Sequence, residues 1–217
     1  MQSRNTAASA NPYTIDNPEE FARNMLRLFE EVERAMFGML ARSDAKISPY
    51  SGASEVSEAA KTVSDIFLRM WMTDPTMLAV AQGRLARSYM DLWNNSVRRF
   101  MGQSIDPVVQ PEPSDNRFQD PEWASNPYFD FWMQAYLLTT QWAEDLLRQT
   151  DGLDERTRHK VEFYFRLLTS AMSPSNFPMT NPEVVRETFA SNAKNLVLGM
   201  RHLVNDMEKS GDLLTIS

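Results

Sequence analysis

Four times in 217 residues a short polar side chain is followed by proline where helical periodicity begins: Asn17-Pro18, Asp74-Pro75, Asn126-Pro127 and Asn181-Pro182. An Asn or Asp side chain accepts a hydrogen bond from an otherwise unpaired first-turn amide. Proline suits the next position, because its missing N–H and fixed φ cost little there. Glu20, three residues after Asn17, adds the spacing of a capping box. These starts leave little room for anything but helices.

The segments they open have the required spacing. From Pro18 to Arg42, apolar residues fall at Phe21, Met25, Leu28, Phe29, Val32, Met36 and Met39, one stripe at intervals of three and four. Ser54 is expected to cap a second helix bearing Val56, Ala60, Val63, Phe67 and Met70. A third runs from Pro75 to about Met101, with Leu78, Ala81, Leu85, Tyr89, Leu92 and Phe100 along one side. The stretch 102–116 holds three prolines and no stripe, so it reads as a linker. Beyond it come an aromatic helix from Pro127 to Gln149 and a stop at Gly152 with a restart at Asp154. A helix carrying Val161, Tyr164, Phe165, Leu168 and Ala171 follows. The last helix, Pro182 to about Lys209, carries Val185, Phe189, Ala193, Leu196, Met200, Leu203 and Met207. Only the closing LLTIS could be extended. The expected fold is all-α: a multi-helix assembly of about six helices in two regions, 17–101 and 117–209, joined by the Pro-rich linker. Residues 1–16, polar and aperiodic, are expected to be disordered, and 210–217 to lead out of the helical region.

Charge excludes one class of function. The net charge is −7 and evenly spread: residues 1–116 carry 12 basic and 15 acidic side chains, residues 117–217 carry 10 and 14. Nucleic-acid binding needs a clustered positive face. The densest basic run, Arg156 to Lys160, reads as a solvated helix face. With no cysteine, disulfides, thiolate metal sites and a thiol nucleophile are all excluded. No apolar run approaches the ~18–20 residues that cross a bilayer, and the N-terminus lacks a signal peptide's apolar segment. A cytoplasmic protein is the expectation.

No active site is visible either. The seven glycines are scattered and build neither a phosphate loop nor a nucleophile elbow. His159 lies one turn after Glu155, which suggests an exposed ion pair, and His202 flanks the last stripe without a convincing partner ligand. The adjacent carboxylates Glu30-Glu31 and Glu144-Asp145 point about 100° apart on a helix, so they do not converge on a substrate. No catalytic, metal or cofactor residue is expected.

The aromatic residues are concentrated instead. Seven of the chain's 23 lie between Asp120 and Trp142: Trp123, Tyr128, Phe129, Phe131, Trp132, Tyr136 and Trp142. Phe131, Gln134 and Leu138, with Tyr128 and Ala135 beside them, could line one face; Phe129, Trp132, Tyr136 and Trp142 lie partly round the other. A helix apolar over most of its circumference needs cover on more than one side. Other helices of the chain can supply it, or one side can meet a partner. These seven residues are the candidate buried or interface positions. Nine of fourteen methionines precede the linker, and flexible thioethers suit adaptable surfaces as well as cores.

The motifs RF-x-DPEW, NPYFDF, AYLLT, GLD, SPSNF and TNPEV-x-RET occur in order between Asp115 and Ser217. In that order and spacing they resemble the N-terminal region of poly(3-hydroxyalkanoate) synthases, and NPYFDF with the long preceding helical segment is more similar to the class I type. One departure is Asn192-Ala193, where that family usually has a glycine pair. The resemblance implies that an α/β-hydrolase domain, with its cysteine in a G-x-C-x-G box, lies beyond this region. It also implies that 17–101 is a more variable helical arm. No catalytic residue transfers. The implied role is a non-catalytic partner region that supports its own catalytic domain, forms a possible homodimer, and helps hold the enzyme at polyester granules or granule-associated proteins. The alternative is a free-standing, phasin-like granule-binding or regulatory protein.

Overall fold

A computed structural model of the chain describes residues 11–43, 61, 64, 65, 68, 74–149 and 155–210. Helix α1 spans Pro18–Ser43, α2 Pro75–Phe100, α3 Glu122–Ser125, α4 Pro127–Arg148, α5 Glu155–Ala171, α6 Pro182–Ala190 and α7 Lys194–Ser210. Single 3-10 turns lie at Asn116–Phe118 and Pro174–Asn176. Among the described residues there is no strand, and the all-α expectation holds. All four Asn/Asp-Pro pairs open helices. The helix expected after Ser54, with Val56, Ala60, Val63, Phe67 and Met70, lies outside the described residues, although Lys61, Ser64, Asp65 and Leu68 are helical. Gly152, Asp154 and the closing LLTIS also lie outside them.

Two compact units result, and they do not follow the order of the chain. The first comprises residues 1–47 and 183–217, the second residues 48–182. The stretch 102–116, read from its prolines as a linker, therefore lies inside the second unit.

In the first unit α1 packs along α7. Asn17 Oδ1 accepts from the Glu20 amide at 3.0 Å, as the cap requires. The return arm of the capping box differs from expectation: Glu20 reaches the Asn17 side chain, and the Asn17 amide donates to Asn192 Oδ1 at 3.1 Å. Phe21, Met25, Leu28 and Val32 are half-buried on the inner side with Asn24 and Glu31, whereas Phe29 and Met36 are exposed. The expected stripe was too wide because a single facing helix covers only a narrow seam. Across that seam Arg201 Nε donates to Glu31 Oε1 at 3.2 Å. Phe189 meets Tyr13 edge-on at 5.8 Å and Phe21 in a stack at 6.3 Å. Tyr13, in the segment expected to be disordered, is half-buried by that contact.

The last helix is not continuous. Asn192 and Ala193 take left-handed backbone, φ 52° and 65°, and divide it into α6 and α7. The Ala193 amide donates to Thr188 O at 2.7 Å, and Ser191 Oγ accepts from the Asn195 amide to restart the chain. Helical periodicity runs through the break because neither residue is glycine. Left-handed backbone is what glycine makes inexpensive, which fits the glycine pair that the resemblance leads one to expect here. Asn tolerates it. Here Asn192 also ties the break to α1, since its carbonyl accepts from Asn24 Nδ2 at 2.9 Å. Asn192→Ala is expected to cost about 1–2 kcal/mol, from a lost side-chain acceptor and a left-handed alanine. Asn192→Gly should cost less. Urea midpoints of the two variants check this; equal losses would mean that backbone geometry does not matter at this site.

In the second unit Asp74 Oδ1 caps α2 by accepting from the Met77 amide at 2.8 Å. Gly102, φ 82°, stops the chain from continuing the helix, and its amide donates to Arg99 O at 2.9 Å. Leu78 and Ala81 of α2, Leu146 and Leu147 of α4, and Val161 of α5 form one buried cluster, with Met77, Trp142 and Phe165 around it. Burying side chains of this size stabilises by about 1.5–3 kcal/mol each. Phe100, expected on the inner side of α2, is exposed, as are Met90, Trp93 and Met101.

Candidate functional site

Helix α4 organises the second unit. Asn126 Oδ1 accepts from the Tyr128 amide at 3.1 Å, and Pro127 takes the first helical position. The buried side of α4 is Phe129, Asp130, Met133, Gln134, Ala135 and Leu137. Of the seven candidate aromatic residues, Trp123 and Phe129 are internal, each 2% exposed. With Phe118 they make edge-on pairs, Phe118–Trp123 at 5.0 Å and Trp123–Phe129 at 6.1 Å. Phe131, Tyr136 and Trp142 are half-buried. Tyr128 and Trp132 are 40% and 42% exposed. The cluster thus divides into rings that build the unit and rings left facing outward.

Two polar networks hold α4 in place. Asp130 is buried and paired with Arg99 of α2, and it accepts from Gln134 Nε2 at 2.7 Å. Gln134 Oε1 in turn accepts from the amides of Val108 and Val109, at 2.7 and 3.2 Å. The proline-rich stretch is therefore pinned to the middle of α4. Arg99 also donates to Ala124 O at 2.7 Å. Burial pushes the Asp130 carboxyl above its ordinary range, and Arg99 and Gln134 only partly oppose that shift. Pairing and burial act in opposite senses here, and burial wins.

In the second network Arg117 grips Asp115 with a two-pronged fork at 2.8 and 2.7 Å and donates to the Tyr136 hydroxyl at 2.7 Å. Its guanidinium lies over the Phe118 and Tyr136 rings, at 5.5 and 5.3 Å. The Tyr136 hydroxyl donates to Thr169 O of α5 at 3.0 Å. Arg117 holds Asp115 below the ordinary carboxylate value, and the Asp115 side chain is the main reason that Arg117 keeps its proton more firmly than usual. Both networks are made of mutually satisfied groups. They position helices.

An open cavity of about 530 Å³ lies beside them, wholly within the second unit. Trp132, Tyr136 and Ala143 of α4, Phe165 and Leu168 of α5, Tyr89 of α2, and Met172, Pro174 and Phe177 beyond α5 line it. Among the described residues no charged side chain lines it. Trp132 and Tyr136 are among the candidate aromatic residues and Phe165 is on an expected apolar stripe, but no periodicity links these to Met172 and Phe177, which join them only after the SPSNF turn folds back. That turn is fixed by Asn181 Nδ2 donating to Ser175 O at 2.7 Å and by Tyr128 donating to Met179 O at 3.1 Å.

Among the described residues, no three His, Asp or Glu side chains converge. His159 lies 3.8 Å from Glu155 on an exposed face, and His202 is exposed. Among the described residues, no helix is long and apolar enough to cross a membrane.

Residues 114–217 match the family described as the poly-beta-hydroxybutyrate polymerase (PhaC) N-terminus. The chain is 41% identical over 199 residues to the poly(3-hydroxyalkanoate) polymerase subunit PhaC of Rhizobium meliloti, covering 92% of this chain and 32% of that protein. It is 44% identical over 165 residues to the poly(3-hydroxyalkanoate) polymerase of Methylorubrum extorquens, covering 76% and 27%. A more distant relative is the polymerase subunit of Cupriavidus necator, 27% identical over 135 residues, or 62% of this chain and 22% of that protein. The chain thus spans a third or less of these relatives' length. No solved structure matches.

Proposed function

We propose, from the premise that the chain belongs through residues 114–217 to the N-terminal family of poly-beta-hydroxybutyrate polymerases, that it is the helical, non-catalytic part of such an enzyme. In this reading it supports a catalytic region that joins 3-hydroxyacyl units from their CoA thioesters. It also contributes to dimerisation and to holding the enzyme at the polyester granule in the cytoplasm. The chain makes no bonds itself.

One observation carries the reading. Inside the family-matched region, Phe118, Trp123 and Phe129 are spent on the unit's own core, while Tyr128, Trp132, Phe177 and Met179 remain 40–72% exposed. Exposed aromatic and thioether side chains in a group are the mark of a surface that meets something apolar. The polar networks beside them are closed, which suits a scaffold and not a reaction centre. The exposed stripe of Met90, Trp93 and Phe100 on α2, with Met101 just past its end, supports an assembly surface in the same way. The test is to add the purified chain to a polymerase's separately produced catalytic region and follow CoA release. Stimulation is expected from a chain that releases no CoA alone.

A further inference from the structure

We infer that the cavity between α2, α4, α5 and the Pro174–Asn176 turn binds a neutral aliphatic ester chain, the chemistry of a 3-hydroxyalkanoate polymer. This rests on the reading above and assigns its granule-holding part to one surface.

The hydroxyls of the wall decide the class of ligand. Tyr89 and Thr139 both reach Ala135 O, at 3.1 and 2.8 Å. Thr140 donates to Tyr136 O at 3.0 Å and Thr169 to Phe165 O at 2.9 Å. Thr180 donates to Pro174 O at 2.7 Å and Tyr136 to Thr169 O at 3.0 Å. Among the described residues, the hydroxyl hydrogens of the wall are therefore taken up by backbone carbonyls or, for Tyr89 and Thr139 at 2.7 Å, by each other, and no charged side chain lines the cavity. A polypeptide segment lying here would leave strong amide acceptors unpaired, and a carboxylate or CoA phosphate would lose its hydration without compensation. An ester carbonyl is a weaker acceptor and loses less on burial. Its aliphatic spacers gain what any apolar group gains against aromatic walls. The volume of about 530 Å³ suits a few monomer units, within the ~300–1,000 Å³ of small-molecule sites. The rim, Trp132, Met172 and Phe177, is 42–69% exposed, so a chain can enter from the side without the unit opening.

The test uses the full 217-residue chain, a methyl-ester-capped trimer of 3-hydroxybutyrate as soluble probe, and particles of amorphous poly(3-hydroxybutyrate). Ala143→Trp fills the cavity floor. Trp132→Glu puts a charge at its exposed rim and is expected to leave the fold intact, which circular dichroism verifies. The trimer should bind the native chain, and each folded variant should bind it at least about tenfold more weakly, a change of about 1.4 kcal/mol. Retention on particles should fall in parallel. Unchanged trimer affinity in folded Trp132→Glu overturns the inference. If the native chain and both variants pellet equally with particles while none binds trimer, granule attachment stands and the cavity is not its site. Binding of neither probe removes both claims. If Trp132→Glu loses association with a polymerase's catalytic region and keeps the trimer, the Trp132 rim belongs to a seam between domains, and the inference fails.

Discussion

Replacing Asp130 with alanine should lower the unfolding free energy by about 3–5 kcal/mol, the usual loss when one member of a buried ion pair is removed. The reasons are local. Asp130 is 2% exposed and receives both Arg99 and Gln134. Without it Arg99 keeps a buried charge with no counter-charge, and Gln134 loses the partner that aims its other end at Val108 and Val109. Asp130→Asn keeps the shape and one acceptor oxygen, so it should cost less. The pH trend gives a second check. Burial raises the folded-state value for Asp130, so the folded chain holds a proton that the unfolded chain has released. That contribution is complete below the unfolded value of 3.8 and is lost as pH rises through the higher folded value. The cost of Asp130→Asn should therefore shrink between about pH 3 and pH 7. Urea midpoints at the two pH values measure both effects. A cost that grows with pH would mean that pairing with Arg99 outweighs burial.

Phe129→Ala should be comparably severe, about 3–5 kcal/mol, because it empties a fully packed position between Trp123 and Tyr128. Trp132→Ala, three residues along the same helix, should change the stability of the chain by no more than about 0.5 kcal/mol. The contrast separates rings that build the unit from rings that face outward, at nearly constant chemistry and sequence position. It is read from urea unfolding of the purified chain. Equal losses at the two positions would mean that the outward rings are core as well, and the surface argued above would not exist.

How far such a division can be read from sequence is clear at particular residues. Asn17, Asp74 and Asn126 announce helix starts because capping is local chemistry, complete within three residues. Periodicity then identifies the apolar side of each helix but not how wide a covering element will be. Phe29, Met36 and Phe100 therefore look like core and are exposed. The break at Asn192-Ala193 is hidden for a different reason: the usual sequence signal of left-handed backbone is glycine, and here two residues adopt it without one. Asp130, set between Phe129 and Phe131, resembles a polar gap on a solvent-facing side. Its burial depends on Arg99, a residue of another helix that no local pattern connects to it. The proline-rich stretch is legible as non-helical, yet its attachment to Gln134 is a tertiary fact. Aromatic density is visible in a sequence, whereas the cavity that Trp132 lines together with Phe165 and Phe177 is not.

In the function proposed above, these helices support a polymerase's chemistry and perform none. CoA release from 3-hydroxybutyryl-CoA tests it in one assay with three arms: the chain alone, a polymerase's catalytic region alone, and the two mixed. No release is expected from the chain, and the mixture should run about tenfold or more above the catalytic region alone, equivalent to about 1.4 kcal/mol of barrier. Steady release by the chain alone, or a mixture no faster than the catalytic region, would contradict it.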